Sequence, residues 1–350
     1  MLSLKDFDYS LPKELIAQEP IKPRDHARLL CLDKNKGEIV HRRFDSLTQI
    51  LKKGDVLVIN NSKVFPARLF GYKKETGGRI EIFLHKHQQG FIWECLVGGK
   101  VKVDAIIILG AGLEGKMLEN QNDGTWLVSF NFEKEKFWKI LERIGRMPLP
   151  PYITPNKSQH LDRVRYQTVY ADNKNKGSVA APTAGLHFTQ RLLKKLSEKG
   201  VLVVPVILHV GLGTFALVKE ENIVEHKMHS EYISISKKSA QFLYEAKKSG
   251  QRIIGVGTTS CRVLESYGQA IKSRKVLLGE AYNEWTEIFI YPGYKFEFLD
   301  ALITNFHLPK SSLLMLVSAL AGEAEIEEAY RQAIAAEYRF YSYGDAMFIS

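Results

Sequence analysis

Cysteine is scarce in this chain: the 350 residues include three, Cys31, Cys95 and Cys261, far apart and without a C-x-x-C pair. That spacing excludes a disulfide framework and the common zinc and redox signatures, and the three read as buried thiols. Long apolar runs are missing as well. The longest late one, LLMLVSALAG at 313–322, is about half the length of a membrane span. The opening MLSLKDFDYSLPKE lacks the basic-then-apolar pattern of a signal peptide, so the expectation is a cytoplasmic protein with no membrane partner. Acidic residues are outnumbered, 39 against 49 Lys and Arg, giving a net charge of +10 and a pI near 9.2. A basic balance of this size favours a polyanionic partner, although it also describes many merely soluble proteins.

What is present is ordinary globular composition, 45% hydrophobic and 25% charged, in a length that suits about two domains. The first sixty residues carry strand patterns at LLCLD and EIVHRRF, a helix over DSLTQILKK capped by Asp45 and stopped by Gly54, and a buried strand DVLVIN. From about residue 66 the texture changes to short apolar runs, ARLFGY, RIEIFLH, FIWECLV, AIIIL and TWLVSF, separated by glycine and Asn/Asp turns. That texture predicts a small antiparallel β-barrel. A helix EKEKFWKILERIG and the proline-rich RMPLPPYITP close it, and helices then alternate with strands to DAMFIS. The expected fold is α/β, a discontinuous main domain over 1–65 and 150–350 with a β-barrel domain inserted at 66–149.

Several short patterns bear on chemistry. GAGLEG at 110–115 matches G-x-G-x-x-G, but KMLENQNDG follows where a dinucleotide site needs a helix, so Gly110, Gly112 and Gly115 read as hairpin glycines. In IIGVGTTSCR at 253–262, an apolar strand runs through two glycines into Thr258, Thr259 and Ser260 and then a helix with Arg262. Such a helix start can hold a carboxylate or phosphate; the same spacing also describes a well-capped buried helix. HVGLGTF at 209–215 and GSVAAPTAGLHFT at 177–189 repeat the theme of small residues that let a ligand approach the backbone, the second leading into a helix with Thr189 as its N-cap. HKMH at 226–229 resembles a zinc motif only superficially, and no metal is expected. His187, His226, His229 and His307 suit proton transfer near neutral pH, and each also suits simple packing, whereas the lone His209 reads as structural. The tyrosine-containing stretch 152–177 carries Arg163, Arg165, Lys174 and Lys176, a mixture fitted to RNA phosphates and unpaired bases, or to a solvated loop.

Taken in order, NNSKVFPARL, GGRIEIFL, RYQTVYA through GSVAAPTAGLHFT, HVGLGTF, HKMHSE, GVGTTSCRVLE, ALITNFHLPKSSLLMLVSALAG and YRFYSYGDAMFI resemble the S-adenosylmethionine:tRNA ribosyltransferase-isomerases of queuosine synthesis, over essentially the whole chain. The resemblance implies an α/β domain with an inserted barrel, and an enzyme that transfers and isomerises the ribosyl group of S-adenosylmethionine. The implied acceptor is 7-aminomethyl-7-deazaguanine at the wobble position of a tRNA anticodon stem-loop; the product is epoxyqueuosine, with release of adenine and methionine. It implies no metal or prosthetic group, S-adenosylmethionine being consumed, and no obligate protein partner is inferred. Asked of these residues, that chemistry assigns proton transfer to His187 with His229 or Glu231, and the methionine carboxylate to Thr258, Thr259 and Ser260 with Arg262 nearby. Ala181, Thr183 and Gly185, with Gly211 and Gly213, keep the substrate pocket close to the backbone. Phe188 and Phe215 face the sulfonium, and Arg163, Arg165, Lys174 and Lys176 contact tRNA. Two rivals stand beside this reading: an S-adenosylmethionine-dependent tRNA methyltransferase, and a non-catalytic RNA-binding protein.

Overall fold

The computed structural model describes residues 2–121, 124–132, 134–211, 213 and 218–350. Strands β1 (Arg28–Leu32) and β2 (Ile39–Arg43) form an antiparallel hairpin. A 3-10 turn at Phe44–Ser46 and the single-turn helix α1 (Leu47–Ile50) lead to β3 (Val56–Asn60), buried at every position. The helix expected over DSLTQILKK is therefore shorter. Asp45 does not cap it, because its carboxylate accepts from the Arg43 guanidinium at 2.6 Å, and the backbone is already extended at Leu51, ahead of Gly54. Cys31 is only half-buried, whereas Cys95 and Cys261 are buried as expected.

After β4 (Lys63–Val64), six strands close an antiparallel barrel: β5 (Arg68–Lys73), β6 (Arg79–Gln89), β7 (Ile92–Gly98), β8 (Ile106–Gly110), β9 (Leu113–Asn120) and β10 (Thr125–Phe130). The β8–β9 turn places Gly110 and Gly112 at φ +98° and +77°, whereas Gly115 lies inside β9, where a Cβ would crowd Val128 and Phe130; none of the three needs a nucleotide. Helix α2 (Lys134–Ile144) packs Phe137, Ile140 and Leu141 into the barrel's core cluster. Phe65 and Val179, from the chain on either side of the barrel, join the same cluster and fasten the barrel to the rest.

The remaining elements build the main sheet and its layers. They are α3 (Gln159–Arg165), β11 (Lys176–Ser178), which pairs with β4, α4 (Gln190–Glu198), β12 (Leu202–Leu208), β13 (Glu231–Ile235), α5 (Lys237–Lys248), β14 (Ile253–Val256), α6 (Gly257–Lys272), β15 (Tyr282–Thr286), β16 (Ala301–Asn305), α7 (Ser312–Ala321), α8 (Glu323–Ala335) and β17 (Ala346–Ile349). The nine-stranded sheet runs β15-β13-β12-β3-β14-β16-β17-β1-β2, and its centre, β12, β3, β14 and β16, is parallel. Alternation along β3 sends Val56 and Val58 to one core and Leu57 and Ile59 to the other. The first core is closed by α5, α6, α7 and α8, the second by α1 and α4. From β3 the chain pairs with β12 on one side and β14 on the other, and crevices for ligands form beyond the carboxyl ends of strands at such a reversal.

Candidate active site

The carboxyl ends of the central strands converge on Val210. Asn60, at the end of β3, donates from Nδ2 to the Leu208 carbonyl at 2.9 Å and accepts from the Leu208 and Ser62 amides at 3.2 and 3.1 Å. Ser62 and Ser178 hydroxyls meet at 2.7 Å, and the Val210 amide donates to Ser178 Oγ at 3.0 Å. These groups are buried and mutually satisfied, so they fix the exit of β12 rather than merely filling space. Val210 lies in the wall of two cavities, one on each side of it.

The smaller cavity, about 70 Å³, sets a few hydroxyl, amide and imidazole groups among small and apolar side chains. Ala181, Pro182, Thr183 and Ala184 form one side, Gly257, Thr258 and Thr259 a second, and Thr304, Asn305, His307 and Tyr152 close it. Helix α6 begins earlier than its sequence suggests, at Gly257 with φ +83°, and no side chain caps it. Its first N–H groups and the positive end of its dipole are therefore open to whatever occupies the cavity. Thr259 Oγ1 is buried there without a hydrogen-bond partner. Ser260 points elsewhere: its hydroxyl donates to the Val256 carbonyl at 2.9 Å inside the helix.

His187 is not in the wall of either cavity. It lies one layer behind, with Nε2 3.2 Å from Asn305 Nδ2 and its ring 5.0 Å from that of Phe44. Burial, aided by the charges of Arg339 and Arg24, pushes its pKa down to about 3, so it is a neutral imidazole that accepts from Asn305. Phe188 is fully buried in an edge contact with Phe44 and reaches neither cavity. Gly185 is small for a packing reason, since a Cβ there would strike the Tyr170 hydroxyl. His307 does line the cavity, bonded through Nε2 to Thr304 Oγ1 at 2.8 Å and held neutral by burial at a pKa of about 3.

The larger cavity, about 410 Å³, opens between barrel and sheet. Phe65, Trp93, Phe137 and Trp138 form its barrel side; Tyr232, Trp285 and His209 form its sheet side. Gly211 marks its floor, where the amide donates to Glu231 Oε1 at 2.8 Å and His85 of the barrel approaches closely. The other Glu231 oxygen accepts from Arg262, and this pair is buried, leaving Arg262 Nε and Nη2 without partners. Gly213 packs against the His229 ring, so the glycines of HVGLGTF, Glu231, His229 and Arg262 do gather at one place. Phe215 lies outside the described residues. His85 and the aromatic walls escaped the sequence reading because they sit on separate barrel and sheet strands with no local motif. His226 of HKMH pairs with Glu220 at 2.7 Å, away from His229, and among the described residues no cluster of three His, Cys, Asp or Glu side chains can hold a metal ion.

The basic candidates divide. Arg163 and Lys176 share the Glu142 carboxylate at 3.2 and 3.0 Å, and Lys176 reaches the rim of the large cavity. Arg165 is largely buried against Glu19, while Lys174 is exposed. Among the described residues no helix is long and apolar enough to cross a membrane.

A family model described as queuosine biosynthesis protein matches residues 4–349. The chain is 50% identical over 351 residues to an S-adenosylmethionine:tRNA ribosyltransferase-isomerase of Desulfitobacterium hafniense, covering 99% of this chain and 100% of that one. It is 51% identical, with the same coverage, to the enzyme of that name from Acetivibrio thermocellus. Among solved structures it is similar to the S-adenosylmethionine tRNA ribosyltransferase of Thermotoga maritima, at 37% identity and a TM-score of 0.57, covering 99% of this chain and 100% of the other.

Proposed function

The chain belongs to the queuosine biosynthesis protein family, and from that premise we propose that it transfers the ribosyl group of S-adenosylmethionine to 7-aminomethyl-7-deazaguanine at the wobble position of a tRNA anticodon stem-loop. Isomerisation then gives epoxyqueuosine, with loss of adenine and methionine. The observation that carries the donor half is the uncapped start of α6 beyond the carboxyl end of β14. Its free N–H groups, with the Thr258 and Thr259 hydroxyls, suit the methionine carboxylate. The positive sulfonium acidifies protons on the adjoining ribose carbon, so a base can remove one and the resulting ylide can expel adenine. The aminomethyl nitrogen then bonds to the opened sugar, and epoxide closure expels methionine.

Proton transfer falls to the groups around Gly211: Glu231, His229 and, from the barrel, His85. Arg262 holds Glu231 in place. His187 acts one layer back, as a positioning residue that orients Asn305 on the cavity wall. Lys176 and Arg163 serve the tRNA backbone. S-adenosylmethionine is consumed, no prosthetic group takes part, and the site of action is the cytoplasm. The deciding assay incubates the protein with S-adenosylmethionine and a stem-loop carrying the aminomethyl base, and follows free adenine and RNA mass. Adenine release with a ribosyl-derived mass gain is expected. A methyl-sized gain, or S-adenosylhomocysteine as product, overturns the reading in favour of a methyltransferase.

A further inference from the structure

The large cavity is built differently from the donor pocket beside it. On the barrel side Trp93 and Trp138 meet at 5.9 Å and 81°, with Phe65 edge-on to Trp138 at 5.2 Å. Facing them, Tyr232 and Trp285 meet at 5.7 Å, and the His209 ring stacks on Tyr232 at 5.7 Å and 21°. Nδ1 of His85 and Nδ1 of His209 are buried without hydrogen-bond partners, and both imidazoles line this space. Lys86, whose Nζ lies 4.0 Å from the centre of the Trp285 ring, joins Lys134 and Lys176 at its edge.

We infer that this chamber is the acceptor site, taking one RNA nucleobase swung out of its stack between the two aromatic walls, with the His85 and His209 nitrogens meeting its polar edge and the lysines holding the adjacent phosphates. The inference rests on the proposed function and names where its acceptor sits. The charge of the rim decides between base and donor. S-adenosylmethionine carries a sulfonium cation and no phosphate, so Lys86 and Lys134, with Lys176 held on Glu142, oppose its entry and favour a polyanion. A flat base gains from aromatic faces on both sides, and unpartnered buried nitrogens gain from its hydrogen-bonding edge. Val210, common to both cavities, is where base and donor meet.

The test separates binding from turnover. Three of the four tryptophans, Trp93, Trp138 and Trp285, line the chamber, so intrinsic fluorescence reports its occupation. With no donor present, a stem-loop carrying the aminomethyl base is titrated against one abasic at that position. The intact RNA is expected to quench the fluorescence and to bind at least about fivefold more tightly than the abasic one. Trp285→Ala, at a half-exposed edge-strand position, is expected to erase that difference while leaving the Kd for S-adenosylmethionine unchanged. Equal affinity of intact and abasic RNA for the unaltered protein overturns the inference even if Trp285→Ala fails to fold. Weakened S-adenosylmethionine binding with unchanged RNA binding in the variant assigns the chamber to the donor instead. Failure of adenine release in the turnover assay, with base-dependent RNA binding retained, leaves the acceptor site standing and removes the reaction.

Discussion

Glu231 is 4% exposed, and the Arg262 guanidinium that meets it is buried beside it, so neither can turn to water if the other is removed. Arg262→Met is expected to cost about 3–5 kcal/mol, read as a lower midpoint in urea, because it removes the opposite charge from a buried carboxylate that keeps only neutral donors such as the Gly211 amide. Changing both residues, Glu231→Gln with Arg262→Met, is expected to cost less than that single change; an equal or larger loss rejects the pair as the cause. Activity is expected to vanish in both. At this scale the sequence was informative where small residues signal backbone proximity, as in Ala181 to Ala184 and Gly257 beside the same cavity. It was uninformative about direction: Ser260 and Phe188 adjoin true cavity residues but turn inward, one to a helix carbonyl and one to Phe44. Composition cannot encode which way a side chain points at a strand-to-helix junction. Only the helix phase and the packing behind it do.

Helix α6 owes its place to a strand followed at once by Gly257, to burial of most of its length, and to contacts with β3, β12, β14 and β16. What its first turn lacks in capping it offers to an anion. Thr259→Ala removes a hydroxyl that has no protein partner, so the folded state is expected to keep its stability within about 0.5 kcal/mol. Lost contact with a charged ligand is worth about 1.5–3 kcal/mol, so the Kd for S-adenosylmethionine is expected to rise at least about tenfold. Calorimetry on the pure protein reads both. Helix α4 provides the contrast, since Thr189 accepts from the Leu192 amide at 3.1 Å and donates to Asp25 at 2.7 Å. That cap was visible in TQRLL, as the barrel was in its short runs, because both signals are local. The edge strand β15 was not, its YNEWT sequence being half polar and mostly exposed, with pairing to β13 supplied from far along the chain. Asp45 failed as a cap for a local reason too, Arg43 competing for its carboxylate.

Over the whole molecule, several histidines are stored neutral. His187 and His307 have pKa values pushed down to about 3 and His209 to about 4, burial being the leading cause in each. The unfolded chain takes up these protons near pH 6.5 and the folded one does not, so stability is complete above that pH and is lost as pH falls towards 3. Each contributes a slope of up to about 1.4 kcal/mol per pH unit in that window. Denaturation midpoints are expected to fall steadily from pH 6.5 to 4, and His307→Gln to flatten the curve. Net charge of +10 acts at the same scale through the salt dependence of RNA binding. Lys176→Gln is expected to lower the slope of log K against log salt by about one, with S-adenosylmethionine binding unmoved; an unchanged slope removes Lys176 from the phosphate contacts. Asn60 of β3 is joined to Leu208 across a sequence separation of 148, and the entire barrel is made in between. At about 5–20 residues per second, β3 waits on the ribosome for about 7–30 s with its Val56–Ile59 run unpaired while the barrel beyond it is already able to close. An apolar strand exposed for that long is open to association with other chains, so slowing translation downstream of β3 is expected to lower the soluble yield at unchanged fold stability.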